Sequence, residues 1–326
     1  MMRGTWRLVG LLWLLLPLLA SADDGGKQDP HYWLERMVQA THNLNYQGTF
    51  IYEHDGHLQT MRIIHSAGEG GERERLVTLS GPSREVIRNG DTVTCILPND
   101  HSVVVERSHA VRPFPITLPS RLEQLRHFYT LRLAGEDRIA DLPARHIAIE
   151  PRDGYRYGHN IWLDEGSGLL LKAELVDEKG RMVEQLLFTS VEFFDRVPPQ
   201  LLVPQTKGKD LHRYKRKEEK DEAVHNSAWR VTRLPPGFQE EVHRRHYMPS
   251  LQAPVEHFVF SDGLASISVF IEHHKKNAHS LIGTTRMGAG NAYGRLVGGH
   301  LVTVVGEVPP KTVKLVAEAV SDAEGR

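Results

Sequence analysis

A short strand-and-turn pattern near the start of the chain constrains its fold most strongly. Residues 46–52 read YQGTFIY, and successive side chains of a strand point to opposite faces, so the aromatic residues of this segment share one face. The dipeptide Asp55-Gly56 follows, and this pair is typical of a two-residue type I′ turn because both central residues need positive φ. The pattern predicts an antiparallel hairpin in which Phe50 lies opposite Met61.

One face of this hairpin is predicted to be apolar, with a gap at Gly48. It carries the side chains of Tyr46, Phe50, Tyr52, Met61 and Ile63. Two interpretations are open. The face packs into a core beneath a helix, as buried aromatic side chains usually do, or it forms the inner wall of a curved sheet that binds an apolar ligand.

Residues 1–22 are typical of a cleavable secretory signal peptide. Arg3 and Arg7 form a basic start, an apolar run covers residues 8–20, and the small residues at 20–22 read ASA. The apolar run is shorter than the roughly 20 residues that a membrane-spanning helix needs, which argues against an uncleaved anchor. We therefore expect a secreted mature chain that begins at residue 23.

The charge argues against a general nucleic-acid-binding protein, and the cysteine content excludes a fold stabilised by intrachain disulfides. Removing Arg3 and Arg7 from the 40 basic residues leaves 38 against 41 acidic residues, so no general affinity for nucleic acid is expected. Cys95 is the only cysteine, and no intrachain disulfide can form. The stability of the mature chain must therefore come from its hydrophobic core.

Residues 23–197 are predicted to form one large domain that is mainly β. Asp29 and Pro30 mark the start of an amphipathic helix over residues 30–44, and a second helix is expected at about 120–129. Further strands are predicted near 76–79, 85–87, 92–94, 130–137, 144–150, 156–163, 169–177 and 182–193. Consecutive strands with short turns favour an antiparallel meander, so the fold class is α+β with a large curved half-barrel and covering helices.

The rest of the chain is predicted to form a linker and a smaller domain. Residues 198–227 begin with prolines and continue with mixed charges, which favours a solvated connector. Residues 228–326 are expected to form a second antiparallel sheet-and-helix domain. Asp262-Gly263 marks a hairpin there, and the prolines at 309–310 mark the start of a last helix.

No motif in the chain predicts catalysis, a metal site or a cofactor. The chain has 19 histidines, but His243 and His246 lack the second ligand cluster that zinc sites show. The glycines at 288, 290 and 294 have the wrong spacing for a dinucleotide-binding loop. Neither a P-loop nor a nucleophile elbow is present, so we predict a non-enzymatic protein.

Seven segments, spread over both domains, resemble sequences of the MucB/RseB family. They are YQGTFIY at 46–52, YTLRLAG at 129–135, PRDGYRYG at 151–158, LPPGF at 234–238, DGLA at 262–265, GNAYGR at 290–295 and VVGEVP at 304–309. They occur in the order expected for that family, behind a signal peptide, and they extend over nearly the whole mature chain.

The resemblance implies a periplasmic regulator of envelope stress. Proteins of this family bind the periplasmic part of an inner-membrane anti-sigma factor of the MucA/RseA type. They shield it from regulated proteolysis, so that a sigma factor of the sigma-E/AlgU type stays inactive, and lipid or lipopolysaccharide releases them. The resemblance also implies a lipoprotein-carrier-like large domain around an apolar cavity, and a homodimer.

Candidate binding residues follow from strand alternation and aromatic content. The candidate lipid-binding residues are Tyr46, Phe50, Tyr52, Met61, Ile63, Phe128 and Trp162. The candidate partner-binding residues are Trp229, Phe238, Phe258, Phe270, Tyr293 and Arg295. Two alternatives stay open: a periplasmic lipid or lipoprotein carrier, which does not need residues 229–320, and an unrecognised hydrolase.

Overall fold

The structure is a computed structural model, and it describes most of the mature chain. The described residues are 28–68, 71–98, 102–107, 122–205, 212–215, 222–223, 227–248, 253–274 and 281–322. The predicted signal peptide lies outside them. No helix among the described residues is long and apolar enough to cross a membrane.

The predicted hairpin forms with the expected register. Strand β1 covers Tyr46–His54 and strand β2 covers His57–Ser66. The turn residues Asp55 and Gly56 have φ values of 48° and 73°, as a type I′ turn requires. Phe50 pairs with Met61, which confirms the sequence prediction.

This hairpin lies at the centre of a sheet that has twelve strands among the described residues. The other strands are β3 Arg73–Thr78, β4 Glu85–Asn89, β5 Thr92–Leu97, β6 Ser102–Arg107, β7 Tyr129–Ile139, β8 Leu142–Pro151, β9 Gly158–Asp164, β10 Leu170–Val176, β11 Met182–Phe193 and β12 His212–Lys215. Their order is β12-β6-β5-β4-β3-β2-β1-β11-β10-β9-β8-β7. Every neighbouring pair is antiparallel except β12 and β6. The meander is interrupted at two places, where β11 returns beside β1 and where β12 lies beside β6.

One helix covers part of the apolar face of this sheet. Helix α1 covers Pro30–Asn43, and the Asp29 carboxylate accepts a hydrogen bond from the His31 backbone N–H at 2.9 Å, as an N-cap does. Trp33 and Leu34 pack against the side chains of β8 and β9. The predicted helix over 30–44 is therefore confirmed, and its apolar stripe covers the sheet as expected.

The expected gap at Gly48 is filled by an aromatic ring from a neighbouring strand. β11 pairs with β1, and a Cβ atom added to Gly48 would lie only 2.4 Å from the ring of Phe188. Phe188 also packs against Phe50, with ring centroids 5.4 Å apart. Gly48 is therefore a point of close packing, and the sequence expectation of an open space there was wrong.

A second, seven-stranded antiparallel sheet follows among the described residues. Its strands are β13 Glu222–Ala223, β15 Gln239–Met248, β16 Ala253–Ser261, β17 Ser266–His273, β18 Gly283–Met287, β19 Gly290–Val297 and β20 His300–Gly306. Their order is β13-β15-β16-β17-β20-β19-β18. Helix α3, Pro310–Glu318, packs on one face of this sheet, and β14 (Trp229–Val231) pairs with β21 (Val320–Asp322) beside it.

The predicted fold class is confirmed, with local differences. The chain is mainly β, with a large antiparallel sheet, a smaller second sheet and few helices. The expected helix at 120–129 is a single 3₁₀ turn, Leu122–Gln124, followed by the short helix α2, Leu125–Phe128. The segment expected to be a solvated connector, residues 198–227, contains the short strands β12 and β13. The hairpin expected at Asp262-Gly263 forms, and its loop has four residues because Ser261 pairs with Ser266.

We predict that Gly48→Ala destabilises the fold by about 1–3 kcal/mol, because the new methyl group overpacks against Phe188. Chemical denaturation of the purified mature chain measures this change. The matched control is Gly68→Ala, since nothing lies within 4 Å of a Cβ atom at Gly68. Equal stability of the two variants would contradict the packing described here.

Candidate functional site

A large cavity lies between the two sheets. Its volume is about 1510 Å³, larger than the roughly 300–1,000 Å³ typical of small-molecule pockets. Its large-domain wall is the face of the sheet that carries Tyr52, Met61 and Leu186. Its other wall includes Phe270 and Val305 of the second sheet. The neighbouring residues Val269 and Val304 pack towards helix α3. Because successive side chains of a strand alternate, the cavity lies on the face of the second sheet that is opposite α3.

The cavity is lined by both apolar and polar side chains, and the polar ones include an acidic pair. Glu184 of β11 and Glu307, which follows β20, both line it. Burial raises the pKa of the Glu184 carboxyl to about 7, and the charge of Glu307 adds to the shift, although a hydrogen bond with Tyr52 opposes it. Burial lowers the pKa of His159 to about 4, so this imidazole is neutral near pH 7.

A buried arginine connects the two domains beside the cavity. Arg156, in the loop between β8 and β9, is 1% exposed. Its guanidinium lies 5.0 Å from the ring centroid of Phe128, 5.4 Å from that of Tyr129 and 5.2 Å from that of Phe238. Its Nη1 atom lies 3.0 Å from Oδ2 of Asp262, in the second domain. We call this arrangement the Arg156 latch.

Further polar contacts complete the latch. The Tyr129 hydroxyl donates a hydrogen bond to Asp262 at 2.9 Å. The Arg156 Nη2 group donates to the carbonyl oxygen of Pro236 and lies 3.4 Å from the Asp153 carboxylate. Gly237 has a φ of +86°, and a Cβ there would lie 2.4 Å from the Phe128 ring, so this turn requires glycine. The latch is therefore built from four separate chain segments.

The loop that carries Arg156 makes a second set of contacts with the smaller domain. The Thr312 hydroxyl donates to the carbonyl oxygen of Tyr155 at 2.8 Å. The Asn291 side-chain amide donates to the Tyr157 hydroxyl at 3.0 Å. The Lys311 ammonium lies 5.4 Å from the ring centroid of Tyr155. Because these contacts fall on both sides of Arg156, the whole loop is held against the second domain.

The structure places the candidate lipid-binding residues in three settings. Tyr52, Met61 and Phe128 line the cavity. Tyr46, Phe50 and Ile63 lie on the same sheet face as Tyr52 by strand alternation, but they are buried in a cluster with Phe188.

Trp162 occupies the third setting, on the opposite face of the large sheet. Its neighbour Ile161 packs beneath helix α1, so alternation directs Trp162 the other way. Its ring stacks on His146 at a centroid distance of 4.2 Å. The Lys172 ammonium lies 4.1 Å from its centroid. Trp162 nevertheless belongs to the same hydrophobic cluster as Tyr46, Phe50 and Ile63, and it is not among the residues that line the cavity.

The candidate partner-binding residues are mostly engaged within their own domain. Phe258 and Phe238 belong to the core beneath α3, and Trp229 and Tyr293 pack against that core. Arg295 donates to the carbonyl oxygen of Ala317 at 3.3 Å.

Phe270 differs from the other candidate partner-binding residues. It lines the cavity and stacks on His257 at a centroid distance of 4.3 Å. Its position makes it a candidate for contact with a cavity ligand as well as with a partner.

The two histidines that suggested a metal site each contact another side chain. His243 Nε2 lies 2.8 Å from the Glu256 carboxylate, and the ring of His246 contacts the ring of His257. Across the described residues, no group of three or more His, Cys, Asp or Glu side chains is arranged to hold a metal ion.

Both halves of the chain match known families. The MucB/RseB N-terminal domain matches residues 29–206, and the MucB/RseB C-terminal domain matches residues 223–321. The two matches together define a protein of two domains, each of a known type. The chain belongs to the MucB/RseB family.

Named relatives match over nearly their full length. The sigma factor AlgU regulatory protein MucB of Pseudomonas aeruginosa is 36% identical over 312 residues, covering 94% of this chain and 95% of that protein. The sigma-E factor regulatory protein RseB of Escherichia coli strain K12 is 26% identical over 314 residues, covering 92% and 93%.

Solved structures agree with this family. The structure described as MucB in complex with MucA(peri) gives a TM-score of 0.70 at 31% identity, covering 90% of this chain and 99% of that one. The MucA/MucB complex of Pseudomonas aeruginosa gives 0.72 at 32% identity, with the same coverage. A structure of MucB alone gives 0.62 at 33% identity, covering 90% and 98%.

Sequence reasoning missed the charged residues of the latch and the acidic pair. Arg156 lies in the PRDGYRYG segment and Asp262 in the DGLA segment, but Asp262 was interpreted only as a turn residue. A charged residue flanked by aromatic residues, as in Tyr155-Arg156-Tyr157, is a signal that a buried cation–π contact can explain. No motif or neighbouring residue in the sequence predicts that Glu184 lines the cavity.

We predict that Arg156→Ala destabilises the protein by about 3–5 kcal/mol, because it leaves the Asp262 carboxylate buried without its charge partner. Thermal and chemical unfolding measure the loss. The control is Arg132→Ala, which removes an exposed ion pair with Glu150 and is expected to cost about 0–1 kcal/mol. A loss at Arg156 no greater than that at Arg132 would show that the latch contributes nothing to stability.

Proposed function

We propose that this protein binds the periplasmic domain of an inner-membrane anti-sigma factor of the MucA/RseA type. Binding protects the anti-sigma factor from regulated proteolysis and so keeps the envelope-stress sigma factor inactive. The observation that carries this proposal is the similarity, over 90% of the chain and through both domains, to MucB crystallised with MucA(peri). The signal-peptide pattern at 1–22 supports a periplasmic location, where such a domain is accessible.

The arrangement of the two domains supports this proposal further. The TM-scores against the two MucA-containing structures are 0.70 and 0.72, whereas the score against MucB alone is 0.62. The Arg156 latch fixes the relative orientation of the sheets, so a partner that contacts both domains meets a preformed surface. A preformed surface lowers the entropic cost of binding.

We also propose that the cavity takes an acyl chain of a lipid or lipopolysaccharide, which releases the anti-sigma factor. Its apolar wall suits an acyl chain, and it lies between the same two domains that the latch connects. A ligand releases a partner only if it binds the partner-free protein more tightly. We therefore propose that the lipid and the partner compete, because each favours a different relative position of the two sheets.

The residue assignments are proposals of the same kind. Tyr52, Met61 and Phe128 are the candidate lipid-binding residues that reach the cavity, and Phe270 reaches it from the other sheet. The remaining aromatic residues of the second domain shape the surface offered to the partner through packing. A homodimer, which the family resemblance implies, belongs to this proposal, and light scattering of the purified mature chain tests it.

We predict that the mature chain retains the periplasmic segment of its anti-sigma factor at physiological salt. Isothermal titration with the purified segment measures the affinity, and timed digestion with the protease that starts the degradation of the anti-sigma factor measures protection. Heat-unfolded chain is the control for nonspecific adhesion. Absence of binding across a range of salt concentrations would overturn the proposed function, and binding without slower cleavage would overturn protection alone.

We predict that Met61→Asp abolishes uptake of a fluorescent acyl chain, because a charge in the apolar wall disfavours an apolar ligand. The matched control is Leu58→Asp on the same strand, since Leu58 is 67% exposed and does not line the cavity. Circular dichroism confirms that both variants fold. Unchanged uptake by folded Met61→Asp would show that the acyl chain binds elsewhere.

A further inference from the structure

Four polar side chains on the two walls of the cavity form no hydrogen bond within the part of the chain that the structure describes. Gln59 of β2 and His159 of β9 lie on the large-domain wall. Ser266 and Ser268 of β17 lie on the second-domain wall. All four are partly exposed, and we call them the polar quartet. Because shielding a polar group from water without a partner is costly, they favour an occupant that offers hydrogen bonds.

The strand registers place the quartet beside apolar side chains. Gln59 lies directly opposite Tyr52, and Ser268 lies directly opposite Val305. Tyr52 and Val305 also line the cavity. Directly opposite residues of antiparallel strands share a face, with Cβ atoms roughly 4.5–5.5 Å apart. Hydrogen-bonding groups and apolar surface therefore lie side by side on both walls, as a ligand with an apolar chain and a polar head group requires.

The quartet is uncharged. Side-chain amides, neutral imidazoles and hydroxyl groups each donate and accept hydrogen bonds. Burial lowers the pKa of His159 to about 4, so its imidazole carries no positive charge near pH 7. The hydroxyl groups of a sugar or a polyol also donate and accept, so they match all four members of the quartet.

The cavity offers little positive charge to an anionic head group. Among the described residues that line it, Arg84 is the only arginine or lysine, and its side chain is exposed. Phosphate groups are typically bound by arginine, lysine or helix N-termini. His54 also lines the cavity, but it lies directly opposite Glu184 on the neighbouring strand. A positive charge on His54 would therefore face a carboxyl group.

Carboxyl groups are more numerous than cations on the cavity walls. Two of them are paired, since Glu174 lies 2.7 Å from Lys172 and Asp262 lies 3.0 Å from Arg156. The other carboxyl-bearing residues on the walls are Glu184, Glu240, Glu241 and Glu307. This lining disfavours a negatively charged head group.

We propose that the cavity binds an amphiphile whose head group is uncharged and rich in hydroxyl groups, such as the sugar of a glycolipid. The polar quartet hydrogen-bonds the hydroxyl groups, and the apolar chain lies against Tyr52, Met61 and Phe270. The inference rests on the lipid binding proposed above, and it adds which head group the cavity accepts and which residues select it.

Three compounds with matched parts test this preference on the full mature chain. Dodecyl maltoside joins an apolar chain to an uncharged sugar, dodecyl phosphate joins the same chain to an anion, and maltose is the sugar alone. Isothermal titration is carried out below the micelle-forming concentrations. We expect dodecyl maltoside to bind at least about 10-fold more tightly than dodecyl phosphate, because only its head group satisfies the quartet. Maltose is expected to bind far more weakly, since the apolar chain is missing.

Two variants test the residues. Ser268→Ala and His159→Leu each remove hydrogen-bonding atoms, and each is expected to weaken dodecyl maltoside binding by roughly 3- to 10-fold. Neither is expected to weaken the binding of dodecyl phosphate. The matched control is Ser190→Ala, which changes an exposed serine of β11 that does not line the cavity. Circular dichroism shows whether each variant folds, and Ser268→Ala, which removes one oxygen atom, decides the outcome if His159→Leu does not fold.

The inference is overturned if dodecyl phosphate binds the wild type as tightly as dodecyl maltoside, or if maltose alone binds as tightly. It is also overturned if folded Ser268→Ala and His159→Leu bind dodecyl maltoside like the wild type. These outcomes leave the proposed binding of an acyl chain intact. If neither dodecyl compound binds, the proposed lipid binding fails together with the inference.

Discussion

One buried guanidinium group fixes how the two sheets of this protein lie against each other. Removing a charged group from water costs several kcal/mol, and the cost is offset only when the charge is paired and hydrogen-bonded. Within its own domain Arg156 has only the Asp153 carboxylate, at 3.4 Å, whereas the closer carboxylate of Asp262 and the carbonyl oxygen of Pro236 come from the second domain. The faces of Phe128 and Phe238 add cation–π stabilisation on either side. The energetic advantage is therefore tied to one relative orientation.

The cavity depends on this orientation. One wall belongs to the large sheet and the other to the second sheet, so neither domain encloses it alone. The latch stabilises the approach of the domains. Under the proposed function, a ligand in the cavity and a partner that contacts both domains act on the same interface, which is the physical requirement for coupling between two sites.

The local parts of this structure were predictable from sequence, and the long-range contacts were not. Strand alternation and the Asp55-Gly56 turn predicted the register of the first hairpin, because a two-residue turn leaves only one pairing. The gap expected at Gly48 was wrong because Phe188, which fills it, arrives from a strand far along the chain. The ion pair between Arg156 and Asp262 is likewise a long-range contact, since the sequence around neither residue predicts the other as its partner. The seven segments that resemble the MucB/RseB family identified the family because they come from both domains. They did not indicate which of their residues contact each other in the folded protein.

The central claim is that the cavity and the partner surface are coupled through the interface between the sheets. The most direct test is to measure the affinity for the anti-sigma periplasmic segment at increasing concentrations of a bound lipid, and the affinity for the lipid at increasing concentrations of the segment. The account predicts that each weakens the other by the same factor, as linkage requires. If both ligands bind the folded chain and neither affinity changes, the two sites are independent and the account is contradicted.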